Sequence, residues 1–416
     1  MKSLAIFGGK KAVKIPFPHY VWPEKNKKLN TSVYKYLNNM KNGKLGLPDI
    51  IEKFEKRFKN FHKSNYALAL SSGTAALHTA YYALGVGPGD EVIVPNYTFP
   101  ATALPILVLG AKPVLCDCLT DTANIDPLDI KRKITKKTKA ISITHWWGHP
   151  CEMREILKIS KNKKIPIVED CAHAPGAKYR GKLVGTFGDV SCFSLDNNKL
   201  LASGEGGVLL TNSKKIYEKS VLFSDFGPRL QKQVKSKKLK NFTSTGVGTK
   251  YRIHFLAAKI ADEKFKIINS LNKDREKIFK YFSKKLSNTK SLVPPQTKSY
   301  VKRGGFYGFK ATFNRKIIKK INKVKYLKFL KAEGVDVRKT ATPPLHFTAL
   351  FSNQKNYYLS NNSKKKKFLK KNKYFPNSTW YENNHLSFPT FYSNKHKKII
   401  DQYLLAIKKI ENYFKL

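Results

Sequence analysis

One lysine in this chain stands in unusual company. From Cys192 to Gly207 the sequence reads C-F-S-L-D-N-N-K-L-L-A-S-G-E-G-G. An apolar run containing Val190, Cys192 and Phe193 ends in the hydroxyl of Ser194. Lys199 follows, then Gly204-Glu205-Gly206-Gly207, and a second apolar run begins at Val208-Leu209-Leu210. A lysine held between two buried strands loses the solvation that favours its charge. Its pKa falls and its amine becomes nucleophilic, as Schiff-base chemistry requires. The alternative is a lysine on a solvated loop, and in a chain this rich in lysine only the neighbouring groups decide between the two.

Three other stretches carry compatible groups. Ser71-Ser72-Gly73-Thr74 opens a helix-like run. Free amides at a helix N-terminus, with a glycine permitting close approach, make an anion site, although Ser-Gly-Thr also caps helices with no ligand present. Glu169-Asp170-Cys171-Ala172-His173 closes an apolar run. A carboxylate at the end of a buried strand is costly unless it meets a cation or hydrogen bonds; it can equally be an N-cap. Tyr97-Thr98-Phe99, after Pro95, puts aromatics at a strand end, where plain core packing would also account for them. The conjunction is more specific than its parts. Pyridoxal phosphate needs amides and a hydroxyl for its phosphate, an aromatic face for its ring, a carboxylate for its pyridinium nitrogen and a lysine for its aldehyde.

The elements that must position these groups alternate from Tyr66 onward. Strands are predicted at Tyr66–Leu70, Glu91–Val94, Pro113–Cys116, Ala140–Thr144 and Ile165–Glu169. Helices are predicted at Ala75–Leu84, Thr102–Leu109, Pro127–Ile134 (capped by Asp126) and Glu152–Ile159. This alternation argues for an α/β fold with a mostly parallel sheet covered by helices, whose ligands sit at the carboxyl ends of the strands. Ahead of it, Pro16, Pro18 and Pro23 suggest an extended arm, followed by helices near Lys28–Met40 and Pro48–Phe61.

The composition narrows the classes further. A chain of 416 residues implies two domains, taken here as 1–263, with the N-terminal arm, and 264–416. The apolar run near Pro100–Cys116 is broken by Pro105, Gly110 and Lys112, so no membrane span is expected. With no signal-peptide pattern at Met1–Lys14, the expectation is a cytoplasmic protein. The formal charge is +52, but of 80 basic residues only ten are arginine, leaving seventy lysines. Nucleic-acid readers favour arginine for bidentate contacts, and the excess here is concentrated in the C-terminal third, so a solvated basic face is the expectation rather than a nucleic-acid site. The five cysteines lack metal-ligand spacing, and no metal is expected.

The chain resembles the DegT/DnrJ/EryC1/StrS aminotransferases, sugar and cyclitol enzymes of the aspartate aminotransferase-like fold, pyridoxal phosphate fold type I. The resemblance rests on S-S-G-T-A-A-L-H (71–78), G-D-E-V-I-V-P-N-Y-T-F (89–99), H-W-W-G-H-P (145–150), E-D-C-A-H-A-P-G-A (169–177), the lysine stretch and G-T-K-Y-R-I-H (248–254). It implies Lys199 as the lysine that bonds the cofactor and shuttles the proton. It implies Asp170 beside the pyridinium nitrogen, His173 near the ring's 3-hydroxyl, Phe99 against the ring, and Gly73, Thr74 and Ser194 at the phosphate. Lys250 stands where the family has Asn in a loop that reaches the neighbouring subunit's phosphate. Lys-Tyr-Arg there resembles the glutamine:scyllo-inosose aminotransferase subgroup, whereas Leu195-Asp196-Asn197-Asn198 departs from the usual aromatic-or-His wording before the lysine.

The resemblance implies ping-pong transfer of an amino group from glutamate or glutamine to a keto sugar, nucleotide-linked, or a keto cyclitol, by a homodimer with shared sites. The alternatives are a dehydratase of the same family, against which the retained Lys199 speaks, an aminohydroxybenzoate synthase-like enzyme, and a basic nucleic-acid-binding protein with a dead site. In the second domain, Gly304–Phe309 is expected to be a strand and 352–377 a mobile insertion.

Overall fold

The computed structural model describes residues 4–19, 22–314, 321–339, 342–352 and 374–416. Most of the loop at 352–377 therefore lies outside the described residues. After the arm, helices α1 (Lys27–Asn38) and α2 (Asp49–His62) lead into β1 (Tyr66–Leu70). Helix α3 (Gly73–Ala83) follows directly, then β2 (Glu91–Pro95), β3 (Lys112–Cys116), β4 (Thr138–Thr144), β5 (Ile167–Asp170), β6 (Val190–Ser194) and β7 (Gly207–Thr211). These form a seven-stranded sheet in the order β1-β7-β6-β5-β4-β2-β3. The pairings from β3 through β6 are parallel, and β7 lies antiparallel to both β6 and β1.

The strands are buried on both faces, and alternation assigns each side chain to one of them. Leu68, Leu70, Val168, Cys192 and Leu209 pack with Ala76, Ala80 and Tyr81 of α3. Ala67, Ala69, Phe193, Val208 and Leu210 face α2, whose Ile50, Ile51, Phe54 and Phe58 repeat at helical spacing, and pack with Ala258, Ala261 and Phe265. Further helices of this lobe include α4 (Lys214–Ser224) and α5 (Phe255–Phe265), with Phe58 stacked on Phe265 at 4.7 Å.

Helix α6 (Ile268–Leu286) passes to a second core built on β8 (Leu292–Val293), β9 (Phe309–Phe313), β10 (His385–Phe388) and α7 (Lys397–Tyr413). Its centre includes Phe282, Phe309, Phe388, Tyr403 and Ile407, and Leu4 and Val13 of the N-terminal arm pack into it. The backbone amides of Ala5 and Ala12 donate to Glu333, at 2.8 and 2.9 Å.

Two sequence expectations are corrected. The helix at Thr102–Leu109 is a 3₁₀ turn, Pro100–Thr102, followed by a short helix, Leu104–Val108. Pro105 lacks an N–H and fixes φ, so it starts a helix rather than continuing one. The strand begins at Phe309, not Gly304, because Gly305, Phe306 and Gly308 have φ of 65°, 48° and 76°, outside any strand conformation. Among the described residues no helix is long and apolar enough to cross a membrane.

The end of β1, from which the site is hung, is fixed by buried charge. Arg229 is fully buried and donates to both oxygens of Glu55 at 2.9 Å, while Glu55 accepts the amide of Ala69 at 2.7 Å. Arg252, bridged to Leu70, pairs with Asp225. Removing one partner strands a buried charge. Arg229→Met is expected to lower unfolding free energy by about 3–5 kcal/mol in urea titrations, and Glu55→Gln/Arg229→Met to recover much of that loss.

Candidate active site

A cavity of about 410 Å³ opens at the carboxyl ends of β5 and β6, where the second lobe closes on the sheet. Gly73, Thr74, Phe99, Asp170, His173, Ser194 and Lys199 all line it. Lys250 does not; it is exposed on a loop outside this chain's cavity. Its neighbour Tyr251 ties that loop to the first turn: its carbonyl accepts the Ser71 amide at 2.6 Å and its hydroxyl meets His78 Nδ1 at 3.0 Å.

At the end of β5 two adjacent carboxylates point to opposite faces and meet opposite environments. Glu169 accepts the amides of Gly185, Phe187 and Gly188 at 2.6–2.8 Å and faces His145 Nε2 at 3.0 Å. Because Cys151 N–H donates to His145 Nδ1, the proton of His145 sits on Nε2. Burial alone would raise the Glu169 carboxyl, but these partners hold it below the usual range. Cys171 lies close enough to these two for a shared ion, yet both His145 nitrogens and both Glu169 oxygens are already engaged by protein groups.

Asp170 has less support. It accepts Thr102 Oγ1 at 2.8 Å and the Ala172 amide at 3.0 Å. Thr98 Oγ1 lies 2.9 Å from both Thr102 and Thr144. Each hydroxyl has one proton, so donation to an ionised Asp170 orders the row as Thr144 to Thr98 to Thr102 to Asp170. Burial still wins and raises the Asp170 carboxyl.

Lys199 faces the same cavity, and burial lowers its amine pKa against the opposing pull of Asp196 and Asp170. Its Nζ lies 4.2 Å from the Tyr307 ring centre. Tyr307 in turn stacks on His173 at 4.0 Å and 11°, and Trp146 covers the other side at 4.7 Å. Burial, then Lys199 and Lys310, keep His173 neutral, and its Nδ1 is buried without a partner among the described residues. Ser72 caps α3 through the Ala75 amide at 3.0 Å. A Cβ on Gly73 would sit 2.9 Å from Ser194 Cβ, so only glycine lets the helix start and the Ser194 hydroxyl share one wall.

The site also contains residues to which sequence reasoning gave no role. Thr102 and Thr98 were indistinguishable from other threonines until the fold brought three chain segments together. Asp196 and Glu205 line the cavity beside Lys199. Tyr307 and Lys310 come from the second lobe, and Trp146 and Trp147 from the H-W-W-G-H-P stretch. The readable signal for Tyr307 was glycine on either side of it: Gly305, at φ 65°, lies where a Cβ would come 2.2 Å from the His173 carbonyl oxygen. This crossing of two backbones brings Tyr307 onto His173.

The profile of the DegT/DnrJ/EryC1/StrS aminotransferase family matches residues 27–401. The chain belongs to that family. Among relatives of this aminotransferase, GDP-perosamine synthase of Escherichia coli O157:H7 is 45% identical over 183 residues, 44% of this chain and 50% of the relative's own length. A putative L-glutamine:3-amino-2,3-dideoxy-scyllo-inosose aminotransferase of Micromonospora echinospora is 29% identical over 354 residues, 84% of this chain and 82% of the relative. Among solved structures, 3-amino-5-hydroxybenzoic acid synthase superposes with a TM-score of 0.80 at 23% identity, covering 97% of this chain and all of the other, a likeness of fold.

Leaving Asp170 short of partners has a measurable cost. Its raised pKa destabilises the folded, ligand-free aminotransferase at pH 7, and the penalty fades as pH falls through that pKa toward the ordinary carboxylate value of about 3.9. Asp170→Asn is therefore expected to raise the urea midpoint of the ligand-free protein at pH 7, with the gain shrinking on acidification.

Proposed function

We propose that this aminotransferase uses pyridoxal phosphate to move an amino group from glutamate or glutamine to a keto sugar, nucleotide-linked, or to a keto cyclitol, in amino-sugar or polysaccharide biosynthesis. The observation that carries the reading is the meeting, in one cavity, of a buried amine with lowered pKa, Lys199, and a buried carboxylate short of partners, Asp170. A pyridinium N–H is the cation such a carboxylate lacks. When bound, the cofactor supplies an electron sink for the bond electrons released at a substrate's α-carbon.

The chain's residues divide the remaining work. Lys199 would hold the cofactor through its aldehyde, and its amine, when free, would carry the proton to and from the donor's α-carbon. Asp170, oriented by Thr102, would keep the ring nitrogen protonated. The orphaned Nδ1 of the neutral His173 is a polar group seeking a partner, in keeping with a place beside the ring hydroxyl. Phe99, 55% exposed at the cavity wall, offers an aromatic face to the ring. The Gly73 and Thr74 amides at the start of α3 and the Ser194 hydroxyl suit a phosphate. The similarity to a perosamine synthase and to a cyclitol aminotransferase supports the acceptor class.

A homodimer belongs to this reading, in which exposed Lys250 would reach a second subunit's phosphate. Cytoplasmic residence belongs to it as well, in keeping with five buried, unpaired cysteines.

Two measurements test this. The purified protein should show the near-visible absorbance of lysine-bound pyridoxal phosphate, Lys199→Ala should abolish it, and glutamate or glutamine should bleach it in the wild type. A colourless protein that takes up no pyridoxal phosphate sinks the reading. Lys250→Ala should weaken cofactor binding only a few-fold, as an exposed ion pair of about 0.2–1 kcal/mol would, with the sedimentation of the dimer unchanged.

A further inference from the structure

A second, smaller cavity of about 220 Å³ adjoins the first. The two share Asn198, Tyr307 and Lys310 as lining residues, so Lys199 and the smaller cavity are separated by little more than these side chains. Lys310 projects from β9 and is only 8% exposed. Its ammonium donates to Ser387 Oγ on β10 and lies 5.3 Å from the Trp147 ring centre. No acidic side chain reaches it as an ion-pair partner among the described residues; Glu382 attracts it only from farther off, and Arg338 repels it. A buried ammonium without a counter-ion is costly, and the protein retains this one facing both cavities.

The rest of the smaller cavity has the same character. Arg275, Arg338 and His19 stand in its wall, and its one acid, Asp336, lies 3.5 Å from His19. Such a wall suits an oxyanion. Its size decides which kind: 220 Å³ falls below the roughly 300–1,000 Å³ of pockets that enclose drug-sized ligands. A carboxylate on a short carbon chain fits, whereas a nucleoside diphosphate does not.

We propose that Lys310, with Arg338 at the outer wall, recognises a carboxylate of the amino donor, which makes the smaller cavity the donor's carboxylate pocket. The proposal rests on the aminotransferase reading and adds to it a residue that selects the donor. The acceptor's bulk then lies in the larger cavity, so the two substrates share the reacting end of the site and diverge beyond it.

Glutarate, a dicarboxylate with no amine to react, is the probe, and its binding to the cofactor-loaded protein is measured by calorimetry. Lys310→Met is expected to weaken glutarate at least tenfold, Lys310→Arg to retain most of the affinity, and Arg338→Gln to lose a few-fold. Equal glutarate affinity in wild type and Lys310→Met overturns the proposal. A loss confined to inorganic pyrophosphate, with glutarate unaffected, also overturns it and gives the pocket to a phosphate group of the acceptor. If Lys310→Met fails to fold, the exposed Arg338→Gln variant and Lys310→Arg carry the test, and unchanged glutarate affinity in Arg338→Gln counts against the proposal. The absorbance of the bound cofactor is read in every sample. Its presence with unchanged glutarate binding removes this inference alone, and its absence from wild type removes the aminotransferase reading beneath it.

Discussion

A single carboxylate, buried and under-supported at the end of a central strand, is the constraint around which the site is built. Asp170 sits one residue from Glu169, and the backbone is the same strand, yet their environments oppose each other. Glu169 is saturated by three amides and a histidine, while Asp170 receives one hydroxyl and one amide. Strand alternation sends the first into the structure behind the sheet and the second into the cavity. The fold spends its donors on the residue that holds the strand end in place and withholds them from the residue that faces the cavity. Stability is given up where binding can restore it.

The second constraint is that two lobes must finish one site. The sheet supplies Asp170, Ser194, Lys199 and the start of α3; the second lobe supplies Tyr307 and Lys310. Contact between them runs through the aromatic layer Trp146, His173 and Tyr307. That layer exists because the loop carrying Gly305 can lie directly on the His173 backbone. Lys199 then meets a ring face instead of water, which contributes to the desolvation that lowers its pKa. The buried Arg229–Glu55 pair serves the other side of the cavity by fixing β1, so that Ser71 to Thr74 turn where Ser194 can reach them.

The charge of the chain bears on arrival rather than on chemistry. At +52 the protein attracts anions over distances of about a Debye length, roughly 8 Å at physiological salt. Most of that charge is solvated lysine, and its effect falls with salt. Lys310 differs in kind, because a buried ammonium is screened little and can discriminate between ligands where surface lysines cannot.

The sequence by itself determined the elements that obey short-range rules. Apolar runs bounded by turn residues gave the parallel core strands, and Asp126 was legible as a cap, accepting the Leu128 amide at 2.9 Å. Lys199, Asp170, Gly73 and Ser194, which the fold gathers in one cavity, were legible as candidates because the chemistry of one cofactor calls for several unlike residue types. Where local signals competed, the reading failed: Pro105 split a helix, and positive φ at Gly305 and Gly308 displaced a strand to Phe309. Only the tertiary structure decided what lies across from what. Thr102 beside Asp170, Tyr307 over Lys199 and Lys310 between two cavities join residues 68 to 111 positions apart. Such pairings depend on sheet order and lobe closure, which no periodicity encodes, and the shifts of Asp170, His173 and Lys199 arise chiefly from the burial that closure creates.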